Sequence, residues 1–428
     1  MFERQGSTLG VMDDLQIVIH SYDGCDRGCP GCIVDKEYKN KIRNTAILSV
    51  ADLGLINSRV KEYYGWAREN LNTKDYGYFG KNGYQIEHCS YTFRFGHHAE
   101  LPLDVLMDMA SSVETNFRVF SMAPATPEQI DKFVTVRRLV GGEIFLEIIY
   151  DPMVDTAASL REMILYMRQH GLLGYPEILI TRRLLDVYPA ERFVKEHVAP
   201  LGDLGIQMQF GRYMPSKTRN FAMSQAVPVD EEIAWLAEVA RHVVNNQYDI
   251  HPIPVGEYAV TFLDEYKEAA ALTPGVGIDE SKLPDREPLN LRDIQEKTRD
   301  IFLSSIYIDE HLDVYIWAES MGQHVLDRNF GFKPLGNLRK NSLVEIMTAK
   351  GGGVDLMLRD MIRHMISHPR CGDCRYLSFC ASHAIPFFRK FMEDDGEHCY
   401  GYLPVIREFQ KSPAFLANMV DGFKRLGF

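Results

Sequence analysis

Over the first 250 positions of the chain, short apolar runs alternate with apolar residues spaced as on one face of a helix. Leu15 to Ile19 reads as a short buried strand, and Val50 to Leu71 as a helix. Tyr91 to Phe95 is a second strand and Leu103 to Met109 a second helix. Phe117 to Phe120 is a third strand, followed by a helix opened by Thr126-Pro127-Glu128, where proline suits the first helical position. Ile144 to Tyr150 is a fourth strand; Leu160, Met163, Ile164 and Met167 then recur at i, i+3, i+4 and i+7, the signature of a helix with one buried face. Glu177 to Ile180 and Ile206 to Phe210 give a fifth and a sixth strand. Six strand-helix units with right-handed crossovers predict an α/β fold, a parallel and partly closed (β/α)6 TIM-like barrel.

Beyond the barrel the pattern changes. Ala271 to Asp300, with Pro274, Pro284 and Pro288, reads as a connecting segment. Ile306-Tyr307-Ile308 and Val314-Tyr315-Ile316 flank a polar turn and predict a β-hairpin, and Gly336-Asn337-Leu338 leads into a helix from Ser342 to Met347. The expected division is residues 1–250 for the barrel, 251–303 for the connection and 304–428 for a small α+β extension.

The 428 residues exceed one ordinary domain and leave room for a barrel of about 250 residues with a further module. A hydrophobic content of 46% and a mean hydropathy of -0.20 describe a soluble chain with an ample core. No stretch approaches the roughly 20 apolar residues of a membrane span, and Met1 to Gly10 has no signal-peptide core, so the expected location is cytoplasmic. A net charge of -12 with interspersed charges argues against nucleic-acid binding, which needs a clustered basic surface. Runs such as Glu393-Asp394-Asp395 read as solvated faces. In such a compartment eight cysteines favour metal ligation over disulfides.

Three of those cysteines, Cys25, Cys29 and Cys32, stand in the run Cys-Asp-Arg-Gly-Cys-Pro-Gly-Cys directly after the first strand. A closed structural zinc site wants four protein ligands. Three thiolates on a 4Fe-4S cluster leave one iron open to a further ligand, whereas a zinc knuckle is the alternative for the same residues. The spacing and its strand context resemble the signature of the radical SAM superfamily. The resemblance implies that Cys25, Cys29 and Cys32 hold a 4Fe-4S cluster whose open iron chelates S-adenosylmethionine (AdoMet), and that one electron cleaves AdoMet to a 5'-deoxyadenosyl radical. The residue before the third cysteine is usually aromatic or large in that family; here it is Gly31, so the adenine needs other contacts.

Strand C-terminal ends surround the active site of a parallel barrel, and AdoMet contacts are expected there. After the second strand comes Phe95-Gly96-His97-His98-Ala99-Glu100-Leu101-Pro102, in place of the family's Gly-Gly-Glu-Pro. One register puts Glu100 at the glutamate position, with His98 to Leu101 over the motif; another places Gly96 to Ala99 there. His97 and His98 are proton donors or satisfied structural histidines. By strand order, Tyr150, Asp151, Thr181 and Arg182 fall where relatives contact the ribose and the carboxylate. Cys89, ahead of the second strand, reads as a buried thiol away from the barrel mouth.

A second group, Cys371, Cys374, Cys380 and Cys399, can close a tetrahedral zinc site or a fully ligated cluster. The hairpin and helix before it resemble the SPASM extension of radical SAM enzymes, which implies a second, auxiliary 4Fe-4S cluster. The full extension has seven cysteines and two clusters; this chain has Trp317 at the hairpin position and Ala384 at a later one, so one outer cluster is expected and the inner site is expected to hold no metal.

The resemblance implies hydrogen abstraction from a ribosomally made peptide or a protein side chain. Alternatives are a dehydrogenase or epimerase of a small molecule such as a sugar or aminocyclitol, and a non-enzymatic zinc-binding protein. A first strand near residue 15 leaves no space for an N-terminal peptide-recognition domain, so a separate recognition protein is one expected partner, beside an electron donor such as flavodoxin or ferredoxin.

Overall fold

The computed structural model describes residues 14–22, 24, 46–71, 86, 88–94, 96–212, 225–253, 255, 299, 303–316, 333–367, 371, 374, 403–412, 415–417 and 419. Within them the chain alternates strand and helix: β1 Asp14–His20, α1 Val50–Asn70, β2 His88–Arg94, α2 Leu103–Ser111, β3 Phe117–Met122, α3 Pro127–Val140, β4 Glu143–Ile149, α4 Ala157–Gln169 and β5 Leu173–Ile180. Then follow α5 Arg182–Val187, α6 Ala190–Phe193, β6 Ile206–Arg212, α7 Val229–Asn245 and β7 Ile250–Ile253. After these come β8 Ser305–Ile308, β9 Asp313–Ile316, β10 Gly336–Asn337, α8 Leu343–Thr348, α9 Gly353–Ser367 and α10 Leu403–Lys411.

Strands β1 to β7 lie side by side in chain order, each parallel to the next. This is the arrangement of a partial (β/α) barrel, and it places every strand C-terminus on one face. The expected six units are present, and β7 adds a seventh strand. It spans four residues and contains Pro252, which an edge tolerates; among the described residues no further strand pairs beyond it. The fifth strand also starts earlier than its apolar run, at Leu173, and passes through Pro176. The hairpin β8–β9 forms as expected, and β8 pairs in parallel with β1, so the hairpin continues the barrel's own sheet on the other side of β1.

Helix starts follow their local chemistry. Thr126 caps α3 with a reciprocal bond from Gln129, and Ser342 caps α8 with Glu345 in the same way. The C-terminal segments are tied to the barrel helices by Arg339 to Asp52 of α1 at 2.6 Å, and by Arg241 of α7 to Glu408 of α10 at 2.7 Å.

The two faces of the sheet differ in chemistry because side chains alternate along each strand. Leu15, Ile17, Ile19, Tyr91, Phe93, Phe120, Ile144, Leu146, Ile148, Ile178, Met208 and Phe210 share one parity and are buried. This face meets the helices: Phe120 packs on Phe133 of α3, Phe210 on Phe193 and Trp235 of α6 and α7, and Arg118 donates to the carbonyls of Ala110 and Val113 at the end of α2. The opposite parity, the inner face, carries His20, Thr92, Arg94, Ser121, Glu147, Tyr175, Glu177, Gln209, His251 and Tyr307. The outer face is thus almost wholly apolar, whereas the inner one mixes these polar residues with Val18, Val119, Phe145 and Ile149.

Candidate functional site

The C-terminal ends of β1, β2 and β3 meet in a bonded cluster. His98 is fully buried and bolts the three connections together. Its Nδ1 lies 2.6 Å from the carbonyl of Ser121, which can only accept, so Nδ1 carries the proton; Nε2 then accepts from the Ser21 hydroxyl at 2.9 Å. Burial pushes this imidazole down to about 4, which keeps it neutral and suited to both bonds. Tyr22 and Phe120 close on the ring edge-to-face.

Beside it, the His97 amide donates to the Gly24 carbonyl at 2.8 Å. Gly24, the residue before Cys25 in the sequence, is thus held by the loop after β2. Gly96 permits this approach: its φ is +67°, and a Cβ there would come within 2.6 Å of the Tyr22 carbonyl oxygen. Gly96→Ala is expected to cost about 1–3 kcal/mol from backbone strain, with the clash added, and to lower the thermal unfolding midpoint. An unchanged midpoint would contradict this account of the loop. Lys132 of α3 fixes the other end by donating to the carbonyls of Ala99 and Leu101 at 2.9 and 2.8 Å, so that the half-buried Glu100 sits on a clamped 3-10 turn, His98–Glu100.

The hairpin tip reaches the same face. His20, the last residue of β1, meets Glu310 with Nδ1 to Oε2 at 3.0 Å. Asp309 shapes the tip by accepting from the His311 and Asp313 amides, both at 2.9 Å. Burial alone would raise the Glu310 carboxyl, but the hydrogen bond and charge of His20 hold it at about 2, below its ordinary 4.5. A depressed carboxyl stabilises the fold above its unfolded value and loses that contribution as pH falls towards the folded one. Wild type should therefore lose its stability advantage over Glu310→Gln between about pH 5 and pH 2. Parallel denaturation curves for the two proteins across that range would count against it.

Below this rim, on the inner face, Arg94 donates to Oε1 of Glu147 and lies 3.8 Å from Oε2 of Glu177. Tyr175, paired with Glu147 across β4 and β5, points its hydroxyl at the same Oε1 at 3.4 Å. The Glu147 side chain is 1% exposed. Gln209 is next in register to Glu177, and burial pushes His251 on β7 down to about 4. None of these residues was expected as a site from the sequence.

The expected AdoMet contacts separate into two groups. Gly96 and Glu100 lie on the clamped loop after β2, and Asp151 stands at the end of β4, where its carboxylate accepts from the Met153 amide at 2.9 Å. The side chains of His98, Tyr150 and Arg182 are committed elsewhere. Tyr150 has the parity of Ile148 and faces the helices, with its hydroxyl 2.5 Å from Nδ1 of His197. Arg182 opens α5 and forks onto Glu231 of α7, and Thr181 caps α5 by accepting from the Leu184 amide. Cys89 lies within β2 rather than ahead of it, paired with Leu15 and remote from the C-terminal rim.

Cys371 and Cys374 are half-buried against the core, in a turn closed by the Cys374 amide on the Cys371 carbonyl at 3.0 Å. Cys25, Cys29, Cys32, Trp317, Cys380, Ala384 and Cys399 lie outside the described residues, as does most of the expected connection. Among the described residues no helix is long and apolar enough to cross a membrane.

No family model matches the sequence, and no curated protein does. In fold the chain is similar to anSMEcpe, an anaerobic sulfatase-maturating radical SAM enzyme, solved with bound AdoMet. The TM-score is 0.58 at 13% identity, over 96% of this chain and 99% of that one. Native anSMEcpe with bound AdoMet and the Cp18Cys peptide gives 0.56 at 14% identity, with coverage of 96% and 99%. At these identities the likeness is one of fold.

Proposed function

We propose that this chain is a radical SAM enzyme that abstracts hydrogen from a peptide or protein side chain. The observation that carries the reading is the attachment of Gly24 to His97. It holds Gly24, the residue before Cys25, on the C-terminal face of a parallel sheet, beside the loop that carries Gly96 and Glu100, and this supports the reading. Similarity in fold to an enzyme that binds AdoMet, and AdoMet with a peptide, supports the same reading.

In this proposal Cys25, Cys29 and Cys32 hold a 4Fe-4S cluster, and Cys371, Cys374, Cys380 and Cys399 hold the auxiliary one. When bound, the first cluster would supply one electron to the sulfonium of AdoMet, releasing the 5'-deoxyadenosyl radical that takes a substrate hydrogen. The chain's own residues position the reactants. Gly96 lets the loop backbone approach, Glu100 offers a carboxylate to the AdoMet amino group, and Asp151 stands where it can meet the ribose. His98 stays neutral and holds the three connections in one geometry.

Metal analysis of protein reconstituted anaerobically with iron and sulfide tests the ligand sets. Cys371→Ala with Cys374→Ala should remove one cluster's iron and leave AdoMet cleavage partly intact. Loss of both clusters in that variant, or zinc in place of iron in the wild type, would overturn the two-cluster assignment.

A further inference from the structure

The turn that presents Glu100 is held by a side chain from a different element. In the run Ala99-Glu100-Leu101 the outer two residues are fully buried and Glu100 between them is half-buried. The amides of Glu100 and Leu101 close the turn on the carbonyls of His97 and His98, at 2.9 and 3.0 Å. The carbonyls of Ala99 and Leu101 both accept from Lys132 of α3, at 2.9 and 2.8 Å. A lysine ammonium has three protons, so one side chain can serve two acceptors, each through a charge-assisted bond. Together the four bonds fix the peptide planes on both sides of Glu100, and so the direction in which its Cα–Cβ bond leaves the backbone. Burial lowers the Lys132 ammonium below its ordinary pKa and the charge of Glu100 opposes that, so the two charges act on one another.

We infer that Lys132 is a positioning residue for AdoMet that acts through Glu100, holding the turn so that the carboxylate is pre-set for the AdoMet ammonium. Lys132 itself is spent on the two carbonyls and supplies no contact to AdoMet. An acceptor already ordered binds more tightly, because the cost of ordering it is not charged against binding. The inference rests on the reading above in which Glu100 meets that ammonium, and it adds a residue that lies on a helix, away from the strand ends.

The test is equilibrium binding of AdoMet to the full-length protein, reconstituted anaerobically and kept unreduced, with amide exchange of the AdoMet-free protein measured beside it. Lys132→Met keeps an apolar stem and removes the donors, whereas Lys132→Arg keeps both charge and donors. Lys132→Met should raise the dissociation constant about tenfold, and Lys132→Arg should recover most of that loss. Without AdoMet, the Glu100 and Leu101 amides of Lys132→Met should exchange at least about tenfold faster, while amides in the middle of α3 keep their rates. Because the lysine acts through Glu100, Lys132→Met added to Glu100→Gln should weaken binding no further than Glu100→Gln alone. A lysine that only stabilises the fold would lower the unfolding midpoint without that non-additivity. If wild type binds AdoMet and Lys132→Met binds it equally well, or if the two substitutions add in full, the inference alone is overturned. A wild type that binds no AdoMet overturns the functional reading itself, and the inference falls with it.

Discussion

Alanine at Cys25, Cys29 and Cys32 is expected to abolish AdoMet cleavage, with 5'-deoxyadenosine falling at least about a thousandfold to background. The reason is in the donor set. Three thiolates are the fewest that hold a 4Fe-4S cluster with one iron open, and nothing else proposed here supplies the electron. Single replacements should be nearly as damaging as the triple one, because residues that act as a unit are not additive. The variant should still fold, since β1 and β2 pair over seven residues that include none of the three cysteines. Circular dichroism provides that control. Retention of cleavage in the triple variant would remove the reading altogether.

Arg94→Met is expected to cost about 3–5 kcal/mol, because it strands Glu147 as an uncompensated charge in the interior. Combined with Glu147→Leu, which removes the stranded carboxylate, most of that loss should return, since a buried pair replaced as a pair is often close to neutral. Urea denaturation of wild type, both single variants and the double variant measures the coupling directly. A single Arg94→Met variant within about 1 kcal/mol of wild type would mean that the pair is solvated or compensated. A double variant no better than Arg94→Met would locate the cost elsewhere, in the packing of the arginine stem.

The barrel was legible because its strands are apolar on the outer face and its helices keep a 3.6-residue spacing. The Leu160, Met163, Ile164 and Met167 stripe is buried on α4, and Thr126-Pro127 opens α3. Two elements were harder to read for local reasons. Pro176 masks the first half of β5, and β7 offers four residues with a proline among them. The placement of AdoMet contacts by strand order missed side-chain parity. Tyr150 continues the row of Ile144, Leu146 and Ile148 and therefore faces the helices, whereas Asp151 enters the turn after β4. The inner-face site was hidden because Arg94, Glu147 and Glu177 are far apart in sequence and meet only through strand register. A signal did exist, in the glutamates standing inside the apolar runs Phe145 to Ile149 and Tyr175 to Ile180. Charged residues in the middle of buried parallel strands are expensive and need a partner.

The inner face and the rim divide the work. On the rim, Gly96 and the His97 amide hold Gly24, the residue before Cys25, and the neutral His98 joins the ends of β1, β2 and β3. On the inner face, Arg94 joins Glu147 and Glu177 across three strands.

The central claim is tested most directly by quantifying 5'-deoxyadenosine and methionine from the anaerobically reconstituted, chemically reduced full-length protein incubated with AdoMet. Equal amounts of the two products, formed only with reductant and iron, are the predicted result. A colourless protein that carries zinc alone and releases neither product would contradict it.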